Sequence, residues 1–130
     1  MKLLLNILIL IFLINCSASY KELNGNNYTS KNLFNRTIIE QYKLYADFEA
    51  KEMHDWNSAK LYSEKAIKSY KGEEIKPEPI QNWRIKKDKL PELLNAYNDL
   101  MLIYKKGIKN DPKNLAIAIS SLDCWAEQQE

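Results

Sequence analysis

From Leu3 to Ile14 the chain is almost continuously apolar, a run of Leu, Ile and Phe broken only by Asn6. Beyond Asn32 the apolar residues recur instead at spacings of three and four, the period of an amphipathic helix. Between these two regimes lies a polar stretch without a period that includes Asn24, Gly25, Asn26 and Asn27, so 16–32 is expected to be an irregular tether.

The periodic part, 33–130, divides into four helices. The first is expected over Leu33–Met53, with Phe34, Ile38, Tyr42, Tyr45 and Phe48 on one stripe. Asp55 is a suitable N-cap for a second over Trp56–Lys71, whose stripe is Trp56, Ala59, Tyr62, Ala66, Ile67 and Tyr70, and Gly72 stands where a closing glycine belongs. The two or three residues at His54-Asp55 make these helices an antiparallel hairpin. Pro77 and Pro79 break the pattern over Glu73–Asp88, yet Ile75, Ile80, Trp83 and Ile85 are too apolar for a free loop. That crossover is therefore expected to lie on the helices, with Trp83 as its anchor. A third helix follows over Pro91–Lys106, ended by Gly107, and Asp111-Pro112 starts a fourth that carries Leu115, Ala118, Ile119, Leu122 and Trp125. The fold class is all-α: a signal segment followed by a small bundle of about four helices. With its alanines at Ala46, Ala59 and Ala66 and its Asp55-Trp56 pair, the hairpin resembles a tetratricopeptide repeat.

The amino-terminal run is too short to span a membrane, which takes roughly 20 residues. Lys2 and the apolar segment after it have the layout of a signal peptide over 1–15. Leu13-Ile14-Asn15-Cys16 resembles the lipobox of bacterial lipoproteins, in which a lipidated cysteine becomes residue one. Asn15 departs from the usual small residue, and Ser17 resembles the signal for transfer to the outer membrane. Cys16 is the candidate lipidation site. The alternative is ordinary secretory cleavage near Ser17-Ala18-Ser19, which leaves a soluble periplasmic protein.

Composition narrows the function classes. The 130 residues suit one domain, and the formal net charge of +2 gives no excess for nucleic-acid binding. Nearly all the cations are lysines, so Lys86-Lys87 with Lys89, and Lys105-Lys106 with Lys109, are read as solvated helix ends. Catalysis has little to work with. The single histidine, His54, has no nucleophile at a familiar spacing, and three glycines build no phosphate loop. His54, Cys124 and the scattered carboxylates form no spaced metal set, so neither a cofactor nor a metal is expected. Trp56, Trp83 and Trp125 are read mainly as core.

The segment Asp123-Cys124-Trp125-Ala126-Glu127-Gln128-Gln129-Glu130, together with Phe48 to Trp56 and Pro79 to Trp83, resembles the amino-terminal helical region of OmpA-family lipoproteins of alphaproteobacteria. The family pattern F-D-C-W-x-E-Q-Q is matched at Asp123, Cys124, Trp125, Glu127, Gln128 and Gln129, with Leu122 in place of the aromatic. The resemblance implies an exported helical domain that precedes a peptidoglycan-binding domain. That second domain and a later family cysteine are not in these 130 residues, so peptidoglycan binding is not expected of them and Cys124 is left unpaired.

These readings combine into a non-enzymatic lipoprotein, anchored in the outer membrane through Cys16 and facing the periplasm, whose helical domain acts as an interaction or spacer module. Its expected partner is an envelope protein. The expected contact surface is Trp56, Asp123, Trp125, Glu127, Gln128 and Gln129, an apolar anchor with a polar rim. The alternative, from another class, is a structural remnant: the first half of a split OmpA-like cell-wall anchor.

Overall fold

A computed structural model describes residues 18–130; the signal segment and Cys16 lie outside the described residues. Those residues hold five α-helices and no strand. The helices are α1 (Ala18–Gly25), α2 (Leu33–Phe48), α3 (Trp56–Tyr70), α4 (Leu90–Asn110) and α5 (Pro112–Gln128). A π-helical turn at Glu49–Met53 follows α2, and a single 3-10 turn at Ile80–Asn82 sits in the crossover.

The expected tether over 16–32 is corrected at its start, because Ala18–Gly25 is helical and docked. Leu23 is fully buried. The Tyr20 hydroxyl donates to Asp47 Oδ1 at 2.8 Å, and the Tyr20 ring meets Trp56 edge-on at 5.9 Å. One leucine among polar and small residues leaves no periodic trace in eight residues, so the signal was too local to read.

Helix α2 begins on Asn32, whose side chain accepts from the Asn35 amide. Its buried face starts as expected with Phe34, Ile38 and Tyr42 and then turns through Ala46 to Glu49 and Ala50, leaving Phe48 half exposed. The geometry explains this. Steps of 3.6 residues from Tyr42 land on 46 and then on 49 or 50, not on 48. The expected α-helix to Met53 widens into the π turn, and His54 closes it in the left-handed region at φ 56, its amide donating to Glu49 O.

Asp55 caps α3, with Oδ1 accepting from the amides of Asn57 and Ser58. The helix ends in the pattern that requires a glycine. Gly72 has φ 82, its amide donates to Ser69 O, and the Glu73 amide donates to Lys68 O. Tyr42 stacks on Tyr62 at 5.7 Å, while Ser69 Oγ donates to Asn35 O, so the start of α2 lies against the end of α3 and the pair is an antiparallel hairpin. Trp56 and Tyr70, expected on the inner stripe, are partly exposed and instead cover Tyr20 and Tyr28.

The crossover lies on the helices. Ile75 and Ile80 are buried, Trp83 and Ile85 pack on the core, and the Tyr104 hydroxyl donates to Ile75 O at 2.7 Å. Helix α4 does not stop at Gly107 but runs through it to Asn110. A Cβ at Gly107 would stand 3.1 to 3.3 Å from side-chain atoms of Leu115, so this glycine serves the close approach of α4 and α5 rather than a helix end. Asp111 and Pro112 open α5 as expected. The main packing runs in succession from α1 to α3, α3 to α2, α2 to α5 and α5 to α4. Among the described residues no helix is long and apolar enough to cross a membrane.

Candidate functional site

Helix α5 carries most of the residues expected to bind a partner, and the structure divides them among three environments. Positions 125 and 127 differ by about 200° around a helix, so a tryptophan and a glutamate two apart face opposite ways.

The first environment is interior. Asp123, expected on the contact rim, is fully buried and consumed by internal contacts. Its Oδ2 accepts from the Tyr42 hydroxyl at 2.6 Å and from Lys65 Nζ at 2.5 Å, and its Oδ1 accepts from the Glu78 amide at 2.6 Å. Lys65 Nζ also donates to Lys76 O and lies 3.5 Å from Glu78 Oε2. Four parts of the chain, α2, α3, the crossover and α5, meet at this carboxylate. Burial pushes the Asp123 carboxyl up, against the pull of Lys65, Tyr42 and the Glu78 amide. For Tyr42 burial comes first and the neighbouring Asp123 charge second, and both push the hydroxyl well above its ordinary value.

The second environment is a groove of about 570 Å³ between α4 and α5. It is lined by Ala96, Leu100, Ile103, Ala118, Leu122 and Trp125, with Asp99 and Ser121 at its edges. Two alanines floor it and Trp125 walls it. Ile103 in its lining is 56% exposed, and Leu102, next to it on α4, is 82% exposed.

The third is an acidic corner on the opposite side of α5. One carboxylate oxygen from each of Glu49, Asp55 and Glu127 lies within 4.8 Å of the others. Glu49 is only 3% exposed. Its carboxyl is pushed up to about 7, first by burial and then by the charges of Glu127 and Asp55. Burial, Asp55 and Glu130 likewise raise Glu127. Cys124, half-buried and free, has its thiol raised by burial and then by Glu127 and Glu49, which disfavours the reactive thiolate. Gln128 Nε2 lies 3.5 Å from the sulfur. The Tyr62 hydroxyl is buried here without a hydrogen-bond partner. Burial raises it most, followed by the charges of Cys124 and Glu127.

The expected anchor-and-rim patch is thus not one surface. Trp125 faces the groove, Glu127 the acidic corner, Gln128 is exposed, Gln129 closes α5, and Trp56 sits against α1. The carboxylates that seemed scattered converge because Glu49, Asp55 and Glu127 come from three different elements. His54 is exposed on the turn between two of them. Sequence reasoning missed Glu49 and Lys65. Each is a charged residue in a buried register, seven after Tyr42 and three after Tyr62, and that was the available signal.

No family model, curated protein or solved structure matches the chain.

Proposed function

We propose that this protein is a non-enzymatic lipoprotein of the cell envelope, held at the outer membrane by lipid on Cys16, whose helical domain docks an amphipathic helix of an envelope protein. The observation that carries the reading is the apolar groove walled by Trp125, which has the exposed Ile103 in its lining and the exposed Leu102 beside it. Its position suits an anchored module, since α1, the first described helix, packs mainly on α3, whereas α4 packs mainly on α5. The occupant is identified by chemistry. Ala96 and Ala118 admit a closely packed apolar face, and the exposed Lys105, Lys106 and Lys109 farther along α4 favour acidic residues beside it.

The docked α1 also bears on the anchor. Cleavage before Cys16 keeps every described residue of α1, Ala18–Gly25. Cleavage after Ala18 or Ser19 would cut into the helix that buries Leu23. Several acyl chains on one cysteine give firm anchoring at about 0.8 kcal/mol per buried CH₂. The resemblance of Asp123 to Gln129 to the OmpA-family amino-terminal region fits the same location.

The test is a photo-crosslinking amino acid at Ile103 in living cells, with Glu40, exposed on α2, as control position. The docking reading expects an adduct at Ile103 alone, mapping to an amphipathic helical peptide of one envelope protein. Adducts to a second copy of this chain, or equal adducts at both positions, would overturn it.

A further inference from the structure

We infer that Glu49, Asp55 and Glu127 form a binding site for a divalent cation of the oxygen-seeking class, calcium foremost. The inference is independent of the docking groove. Calcium takes oxygen ligands at about 2.3–2.6 Å, so oxygens on opposite sides of one ion stand roughly 4.8 Å apart. The three carboxylate oxygens here all lie within 4.8 Å of one another, the separation that one such ion spans.

Elements far apart in sequence build the cluster. The π turn brings Glu49 inward, the left-handed His54 reverses the chain, and Asp55 is fixed because one of its oxygens already accepts two amides. Helix α5 supplies Glu127 from 72 residues farther on. Glu49 is only 3% exposed, and its carboxylate has neither a hydrogen bond nor a lysine or arginine partner among the described residues. A carboxylate removed from water in this way is costly unless something positive is supplied.

The second, independent observation is Tyr62. Its residue is fully buried and its hydroxyl has no hydrogen-bond partner; burial raises it most, and the charges of Cys124, Glu127, Asp123 and Glu49 reach it. Buried hydroxyls are normally satisfied, and an orphan within reach of the Glu127 and Glu49 charges points to a missing participant. A cation with its bound water supplies one: the carboxylates neutralise the ion and the phenol accepts a hydrogen bond from the water. Three carboxylates are hard donors, which favours calcium, magnesium or manganese over a thiolate-seeking metal.

The experiment is thermal unfolding of the full-length protein with millimolar calcium, magnesium or zinc, or sodium chloride at matched ionic strength. The wild type and two variants, Glu127→Gln and Tyr62→Phe, are compared. Glu127 is partly exposed, and an amide there removes one charge without removing bulk. Calcium should raise the midpoint of the wild type by about 5 °C or more at saturating concentration. Glu127→Gln should lose most of that shift, and Tyr62→Phe part of it. Terbium luminescence, sensitised through nearby aromatic rings and displaced by calcium, gives a readout that does not depend on stability. An equal shift in sodium chloride, an unchanged shift in Glu127→Gln, or a response to zinc alone that depends on Cys124 would each overturn the assignment.

Discussion

The Tyr42 hydroxyl and the Asp123 carboxylate, 81 residues apart, meet at 2.6 Å in the centre of the helical domain. Lys65 completes the contact at 2.5 Å, so a buried ion pair joins the hairpin to α5, with the crossover bound to the same carboxylate through the Glu78 amide. Removing one member of a buried pair strands the other. Asp123→Ala is therefore expected to cost about 3–5 kcal/mol in urea unfolding. Tyr42→Phe, which removes one hydrogen bond to a charged group, is expected to cost about 1.5–3 kcal/mol. The double variant Lys65→Met with Asp123→Leu should be less destabilised than the sum of its singles, because neither charge is left behind.

Leu23 distinguishes a docked α1 from a polar lead-in. It is the buried residue of that helix, and Tyr20 and Asn24 both reach Asp47 from the same side. Leu23→Ala is expected to destabilise the domain by about 2–3 kcal/mol, the range for a buried leucine whose site partly collapses. Hydrogen exchange should show the amides of α1 losing protection first. A change within about 0.5 kcal/mol, the size of an ordinary surface substitution, would mean that α1 does not dock.

Alkaline pH should unfold the domain through its buried phenols. Burial and the Asp123 charge raise Tyr42, and burial pushes Tyr104 up to about 12. In the window from the ordinary value of 10 to these raised values, the unfolded chain has lost its phenolic protons and the folded chain has kept them. Stability therefore falls as pH rises from 10, and below 10 these groups contribute no pH dependence. Absorbance near 295 nm should show exposed tyrosines ionising first and a later, cooperative step that coincides with loss of helical circular dichroism. A single non-cooperative titration would contradict the burial of Tyr42 and Tyr104.

How much was legible in the sequence can be stated from particular residues. Wherever a helix end was chemical, as at Asp55, Gly72 and Asp111-Pro112, the boundary fell where the side chain or glycine required it. The crossover was readable because isoleucines between prolines have no place in water. Gly107 misled because a helix-ending glycine and a close-packing glycine look the same until Leu115 is brought against it. Leu23 was hidden by its polar neighbours. For the candidate sites the obstacle was distance along the chain. Nothing local at Glu49, Asp55 or Glu127 announces that the three converge, and Asp123 looked like a terminal surface residue until Tyr42 and Lys65 closed on it. The Trp125 groove needed two helices placed side by side before it could be seen.

Mass spectrometry of the tryptic amino-terminal peptide, from protein purified out of its native envelope, reports both the cleavage site and the modification. A peptide Cys16–Lys21 carrying diacylglycerol and an amino-terminal acyl group is the expected result, and it would keep every described residue of α1. An unmodified peptide beginning between Ser17 and Tyr20 would contradict it, removing the anchor and, from Ser19 on, cutting into the helix that the domain buries through Leu23.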